Sequence, residues 1–285
     1  QLPEASRIPS LSGCTRIPAA ATDDLGASIS RNEGILQGLK DGIVTSTSLM
    51  ANGNASDHAV EMMKREPKYL ADVGLHLNLT EGKPLSDVTL IPSLLNPTRG
   101  SERTFRGKVA FRTACALGEI NLDELVMEVK AQLQWFSEAI GPPRHLDGHQ
   151  HCHVIPAIVS TLAQVFYGVG VEFLRIPAEP GSERSLCNVC SIVSDEANDA
   201  RAVYTRVGIG ATEAFVGLSL CGIAYSQDDL VTAIQTQVDR GAVSCEVMTH
   251  PRATITPIIT PSITSIIIPI ITPIIIPSIT PIITP

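Results

Sequence analysis

Val73-Gly74-Leu75-His76-Leu77-Asn78-Leu79-Thr80 alternates strictly, with leucine at 75, 77 and 79 and Gly74, His76 and Asn78 between. Side chains of an extended segment project to opposite faces in turn, so this is a strand over Val73–Leu79 with one apolar and one polar face. In a barrel the face carrying His76 is the lumen. A helix over Ser56–Glu66, stopped by Pro67, precedes it. Further upstream, Ile43–Met50 is rich in β-branched residues and reads as a strand. Before that, Ser30-Arg31-Asn32-Glu33 is a capping box opening a helix with Ile35, Leu36 and Leu39 on one face. The first apolar run, Ile17–Thr22, ends at Asp23-Asp24.

Downstream, residues 80–118 read mostly as loop, a length that often carries function. Asn121 caps a helix lined by Leu122, Leu125, Val126, Val129, Leu133, Phe136 and Ile140. A strand over His145–His149, a helix over Pro156–Gly168 and a strand over Phe173–Ile176 follow. Residues 182–207 are ambiguous. Ala214–Leu220 and Ala242–Met248 are strands flanking a helix over Gln227–Arg240. About seven strands alternating with helices imply an α/β fold with a parallel sheet, and the 285 residues favour a distorted (β/α) barrel.

Composition bounds the function. Hydrophobic residues are 44% and charged residues 18%, the balance of a globular chain. A net charge of -8 speaks against a nucleic-acid partner. Seven scattered cysteines form no disulfide framework; they read as free thiols of a reducing, cytoplasmic setting. Cys187-x-x-Cys190 lacks the second pair a zinc site needs. The chain starts at Gln1 with no basic-then-apolar leader in view. Residues 1–16 are read as a poorly ordered lead-in, 17–254 as the folded domain, and 255–285 as a low-complexity tail of Ile, Thr, Ser and Pro. Proline at that density permits neither a helix nor a membrane span. Oligomeric state is not legible.

Chemistry-bearing residues gather where strands end, as such folds require. Six of the seven histidines lie in His76, the run His145-Leu146-Asp147-Gly148-His149-Gln150-His151-Cys152-His153, and His250; only His58, on a helix, stands apart. Kept extended, the run would project His145, Asp147, His149, His151 and His153 to one face. Asp23-Asp24 can divide labour, one ligating a metal and the other serving as base. The plain alternatives are a helix cap for the Asp pair and a satisfied core histidine for His76. Asp228-Asp229 is such a capping pair. Asp with neutral imidazoles suits a catalytic Zn²⁺ or Mn²⁺ with an open position for water, whereas Mg²⁺ takes fewer nitrogens. That chemistry is metal-assisted hydrolysis. Aromatics are only 4%, so no extended stacking platform is expected, and Trp135 is read as a helix residue rather than a sugar shelf.

The ordered set Asp23-Asp24-x-Gly26, Asn32-Glu33-Gly34-Ile35, Gly42 to Met50, His76 to Gly82, His145 to His153 and Thr249-His250-Pro251 resembles the YdjC family of carbohydrate deacetylases, over roughly residues 20–252. The resemblance implies a distorted barrel related to NodB-type deacetylases, and hydrolysis of an N-acetyl group from an amino sugar or short chitooligosaccharide. It implies Asp23 as general base, Asp24, His76 and His149 as metal ligands, and His250 as general acid. Asp147, His151 and His153 become substrate contacts or supports behind the ligands. The implied cofactor is Mg²⁺, with Zn²⁺ left open by the ligand chemistry, and the implied partner a small carbohydrate. The chain departs from the family in Leu25, where Phe is usual, in the weak, Pro18-containing first strand, and in the tail that replaces a final helix. These departures leave a second expectation: a truncated, non-catalytic relative acting at most as a binding or interaction protein.

Overall fold

The computed structural model describes residues 20–42, 44–98, 103–180, 190–220 and 227–250, so the lead-in and tail expectations lie outside it. Seven strands, all parallel, form one sheet: β1 (Ala20–Leu25), β2 (Ser46–Leu49), β3 (Val73–Leu77), β4 (His145–Gly148), β5 (Phe173–Leu174), β6 (Ala214–Val216) and β7 (Cys245–Thr249). Their lateral order is β5-β4-β3-β2-β1-β7-β6. Read as a ring, that is sequence order with one opening, between β5 and β6. There, among the described residues, the chain pairs only through the bridge Phe173–Gly210, just before β6 begins. The helices are α1 (Ile29–Lys40), α2 (Ser56–Lys64), α3 (Lys108–Ala116), α4 (Leu122–Ala139), α5 (Pro156–Gly168), α6 (Cys190–Arg206) and α7 (Gln227–Asp239).

The sheet curls on itself. Arg175, one residue past edge strand β5, reaches Asp147 of β4, Asp23 of β1 and Glu246 of β7. A flat sheet would hold β5 and β7 five strands apart, about 24 Å at the usual spacing. One guanidinium spans them only because the strands enclose a lumen. The structure is thus the distorted seven-stranded barrel expected from the alternation.

On β3 the apolar face holds as read. Leu75 and Leu77 are fully buried, while His76 occupies the lumen face. α4 starts at its Asn121 cap, whose side chain accepts from the Asp123 and Glu124 amides. Its buried face includes two polar residues in place of the exposed Leu122. Gln132 exchanges two hydrogen bonds with the Asn78 backbone, and Glu128 accepts the Leu85 and Ser86 amides. These bonds fix the segment that follows β3.

Other expectations shift. β1 runs to Leu25, so Asp23-Asp24 lie within the strand rather than after it. α1 is capped by Ser28, two residues before the expected box, because the chain turns at Gly26 and Ser28 is the first side chain placed to accept the Arg31 amide. α3 occupies the stretch read as loop; its buried Phe111, Ala114 and Cys115 follow helical spacing. Residues 190–206 are helical, with Tyr204 stacked on Phe166 of α5 at 6.2 Å. β4 ends at Gly148, and His149–Val154 forms a 3₁₀ turn instead of continuing the strand. Asp228 and Asp229 sit in the first turn of α7, as read. Among the described residues no helix is long and apolar enough to cross a membrane.

The chain after β6 is held by one carboxylate. Glu179 Oε2 accepts the backbone N–H groups of Gly217, Leu218 and Ser219 at 3.0, 2.6 and 3.0 Å, and Oε1 accepts the Ser219 hydroxyl. Glu179→Ala strands three amide donors, and each unsatisfied buried group costs about 1–3 kcal/mol. Urea unfolding of this variant is expected to show a loss of about 3 kcal/mol; an unchanged midpoint would mean the loop is held by other contacts.

Candidate metal centre

The site is built on an irregularity in β1. Thr22 pairs with Thr47 and Leu25 with Leu49, so Asp23 and Asp24 together oppose the single residue Ser48. This is a β-bulge, and Asp24 adopts a left-handed φ of 65°. Such a conformation costs a non-glycine residue on the order of 1 kcal/mol, less for Asp than for most. In a regular strand adjacent side chains part to opposite faces; here the bulge turns both carboxylates into the lumen. The following turn is fixed by Asn32. Its Oδ1 accepts the Gly26 N–H at 2.7 Å and its Nδ2 donates to the Ala55 carbonyl at 3.0 Å. Gly53 lies against the Gly26 carbonyl, where a Cβ would come within 2.3 Å.

Three ligand-type atoms converge at the strand ends. Asp24 Oδ1 lies 3.3 Å from His76 Nε2 and 2.9 Å from His149 Nδ1, and the two ring nitrogens are 3.3 Å apart. Atoms bound to one ion at roughly 2.0–2.2 Å sit roughly 2.9–3.5 Å from each other. The far nitrogen of each ring is tied to a carboxylate. His76 Nδ1 donates to Asp147 Oδ1 at 2.6 Å, and His149 Nε2 donates to Glu81 Oε2 at 3.2 Å. Those bonds leave His76 Nε2 and His149 Nδ1 as lone pairs aimed at a carboxylate oxygen. Such a set repels itself unless a cation or proton stands between, and carboxylate-oriented imidazoles are the usual backing of metal ligands.

The charges agree. Asp23, Asp147 and Glu246 share Arg175, and Asp24 Oδ2 pairs with Arg31. With Glu81 on His149, five carboxylates against two guanidiniums leave a formal excess of three negative charges when both imidazoles are neutral. Burial opposes charge at His76, yet Asp147 and Asp24 outweigh it and raise its pKa to about 10. Burial likewise works against ionised Asp24, but hydrogen bonds to His149 and His76 hold its carboxyl far below the usual range. Glu246 is pushed up by burial and by the nearby Asp147 and Asp23, against the pull of Arg175. The residues fit a divalent cation on donor chemistry, spacing and charge.

The remaining sequence-derived candidates fall as follows. Asp23 Oδ2 receives Arg175 Nη1 at 2.6 Å, and its Oδ1 is buried without a partner among the described residues. Asp147 supports three groups: it accepts from His76 and from Ser48 (3.0 Å), and pairs with Arg175 at 2.7 Å. His250, 43% exposed, places Nε2 3.8 Å from Asp23 Oδ2 at the rim. The single face expected for the histidine run is not formed. Gln150 and His151 take left-handed φ values of 53° and 58°, so His149 turns into the site while His153 turns behind it. His153 donates to the Arg175 carbonyl at 2.8 Å, and its burial lowers its pKa to about 4. His151 Nδ1 is buried without a partner among the described residues, and burial pushes that ring's pKa well below its ordinary value. His145 lies deeper in the lumen, over Gly74, where any Cβ would collide with its ring. Ser48, Glu81, Arg31, Arg175 and Glu246 were not singled out from sequence. A cavity of about 270 Å³ opens on the centre, lined by Asp24, Ser28, Arg31, Met50, Glu81 and His149.

Arg175→Met removes the cation shared by three buried carboxylates. Removing one partner of a buried ion pair costs about 3–5 kcal/mol, so the variant is expected to unfold at much lower urea or to be recovered unfolded. Stability within 1 kcal/mol of the parent, on the order of a surface change, would rule out this role.

Comparison with known proteins gives a consistent picture. A protein-family model described as YdjC-like protein matches residues 21–265. A mouse protein named carbohydrate deacetylase is 37% identical over 242 residues, covering 80% of this chain and 76% of its own. Its human counterpart in name is 36% identical, covering 80% and 72%. A Citrobacter koseri protein named chitooligosaccharide deacetylase is 33% identical, covering 83% and 81%. A crystal structure from Enterococcus faecalis, described as a candidate cellobiose-phosphate cleavage protein, has the same fold, with a TM-score of 0.65 at 23% identity and coverage of 84% and 82%. With the family model spanning most of its length, this chain belongs to the YdjC-like family.

Proposed function

We propose that this chain is a metal-dependent hydrolase that removes the acetyl group from N-acetylated amino sugars or short chitooligosaccharides. The observation that carries the reading is the convergence of Asp24, His76 and His149 beside a second carboxylate, Asp23, with one unpartnered buried oxygen. The names of the mouse, human and Citrobacter relatives supply the substrate class.

Asp24 Oδ1, His76 Nε2 and His149 Nδ1 would hold the ion. When bound, it supplies Lewis acidity toward the amide carbonyl and makes a neighbouring water more acidic. Arg175 and the lumen wall fix Asp23 Oδ2, leaving Oδ1 to take a proton from the attacking water. Water oxygen bonds to the carbonyl carbon, and the C–N bond then breaks. His250, at the rim, gives a proton to the departing nitrogen, so the products are acetate and the free amine. Arg31 and Glu81 hold Asp24 and His149 in place on the substrate side. As to the ion, the family resemblance points to Mg²⁺, while two imidazoles in three ligands favour Zn²⁺.

The test is acetate release from N-acetylglucosamine and its oligomers, with EDTA and with added Mg²⁺ or Zn²⁺. Release restored by one ion is expected. Asp24→Ala and His149→Ala are expected to lose bound metal as well as activity. Asp23→Asn should keep the metal and lose about 10²–10⁴-fold in kcat, the usual share of a general base. Full turnover by Asp23→Asn would remove Asp23 from that role; no release from folded, metal-loaded protein would remove the deacetylase reading.

A further inference from the structure

Next to the cavity of the metal centre lies a second one of about 390 Å³. The two are walled by neighbouring residues of the same three segments. Ser28 and Ser30 line the first cavity and Ile29 the second; Met50 lines the first and Ala51 the second; Glu81 lines the first and Lys83 the second. The two cavities thus flank a common wall at the strand ends. The first, at about 270 Å³, is smaller than the roughly 300–1,000 Å³ usual for ligand sites, and the two together fall within that range.

The lining of the second cavity has a definite chemistry. Trp135, the only tryptophan in the chain, stands half-buried on α4 and contributes a large apolar surface. Around it are Asn52, Asp57, His58 and Lys83. His58 is held in one tautomer. Asn32 Oδ1 is committed to Gly26, so the group that meets His58 Nδ1 at 3.1 Å is the Asn32 NH₂, a donor. Nδ1 therefore accepts, and Nε2 carries the proton and is left to a ligand in the cavity its ring lines. The same Asn32 fixes the turn after Asp24, so the two cavities share one anchor. An aromatic surface ringed by amide, carboxylate and imidazole groups matches a pyranose ring, with apolar C–H faces and a rim of hydroxyls.

We propose that this second cavity holds the sugar unit adjoining the one that is deacetylated, with Trp135 and His58 as its contacts. This rests on the deacetylase reading and adds the place of the second unit and the side chains that hold it. Trp135, read from sequence as a helix residue only, thereby acquires a binding role.

Because Trp135 is the only tryptophan, its emission reports on the cavity directly and without turnover. N,N′-diacetylchitobiose titrated into the full-length, metal-loaded protein is expected to change that emission saturably. In kinetics, Trp135→Ala is expected to lower the ratio of kcat/KM for the disaccharide over N-acetylglucosamine by about 10-fold, the size of one aromatic contact. His58→Ala, which leaves the packing of α4 alone, is expected to lower the same ratio by about 3-fold, the size of one neutral hydrogen bond. Disaccharide turnover with no emission change, or a ratio unmoved in both variants, would overturn the proposal. If neither sugar releases acetate, the deacetylase reading falls. The emission titration then decides alone: a saturable change keeps the subsite, and none removes it.

Discussion

The site and the barrel depend on one buried guanidinium. Arg175 joins carboxylates from β1, β4 and β7, strands that cannot be reached together unless the sheet is closed around them. The same contacts leave Asp23 with one oxygen bound and one free, and hold Asp147 where it can orient His76. Closing the sheet and arranging the acids are thus a single event. Isolating so many charges from water is unfavourable, and a pair or triad of this kind is weak evidence of stability. What the pairs do fix is position: three carboxylates from three strands are held around one guanidinium.

The bulge in β1 is the second constraint. Without the extra residue opposite Ser48, Asp23 and Asp24 would face away from each other and only one could enter the lumen. The local cost of a left-handed Asp24 is met by the bonding of Asn32 to Gly26 and Ala55 and by the Arg31–Asp24 pair. Strain at a residue this closely surrounded is what a functional strand end tends to show.

Much of this was legible in the sequence for identifiable reasons. β3 and α4 were clear because each is periodic over enough residues for one face to emerge, and Asn121 announces its helix. Asp23-Asp24, His76 and the histidine run stood out by residue type and position at strand ends, while only the family resemblance separated Asp24 and His149 within them. What was hidden depended on distance or on backbone conformation. Arg175 is a lone arginine, and two of its three carboxylate partners are 152 and 71 residues away, so no local pattern marks it. The histidine run looked like one extended face because alternation is the only cue a sequence gives; two left-handed residues after Gly148 are a consequence of packing. The helix at Lys108–Ala116 was masked by its shortness within a long irregular stretch, although its apolar spacing was present.

The opening between β5 and β6 has a consequence for how the molecule meets its own copies. A barrel that does not fully close leaves two strand edges, and an exposed edge can recruit a strand from another molecule. Here the edge strands are the shortest in the sheet, two residues in β5 and three in β6, and the bridge at Gly210 occupies part of the remaining ladder. Too few free backbone groups are left in register to seed a second sheet. The incomplete ring therefore guards against edge-to-edge aggregation by brevity, where a complete barrel would do so by closure.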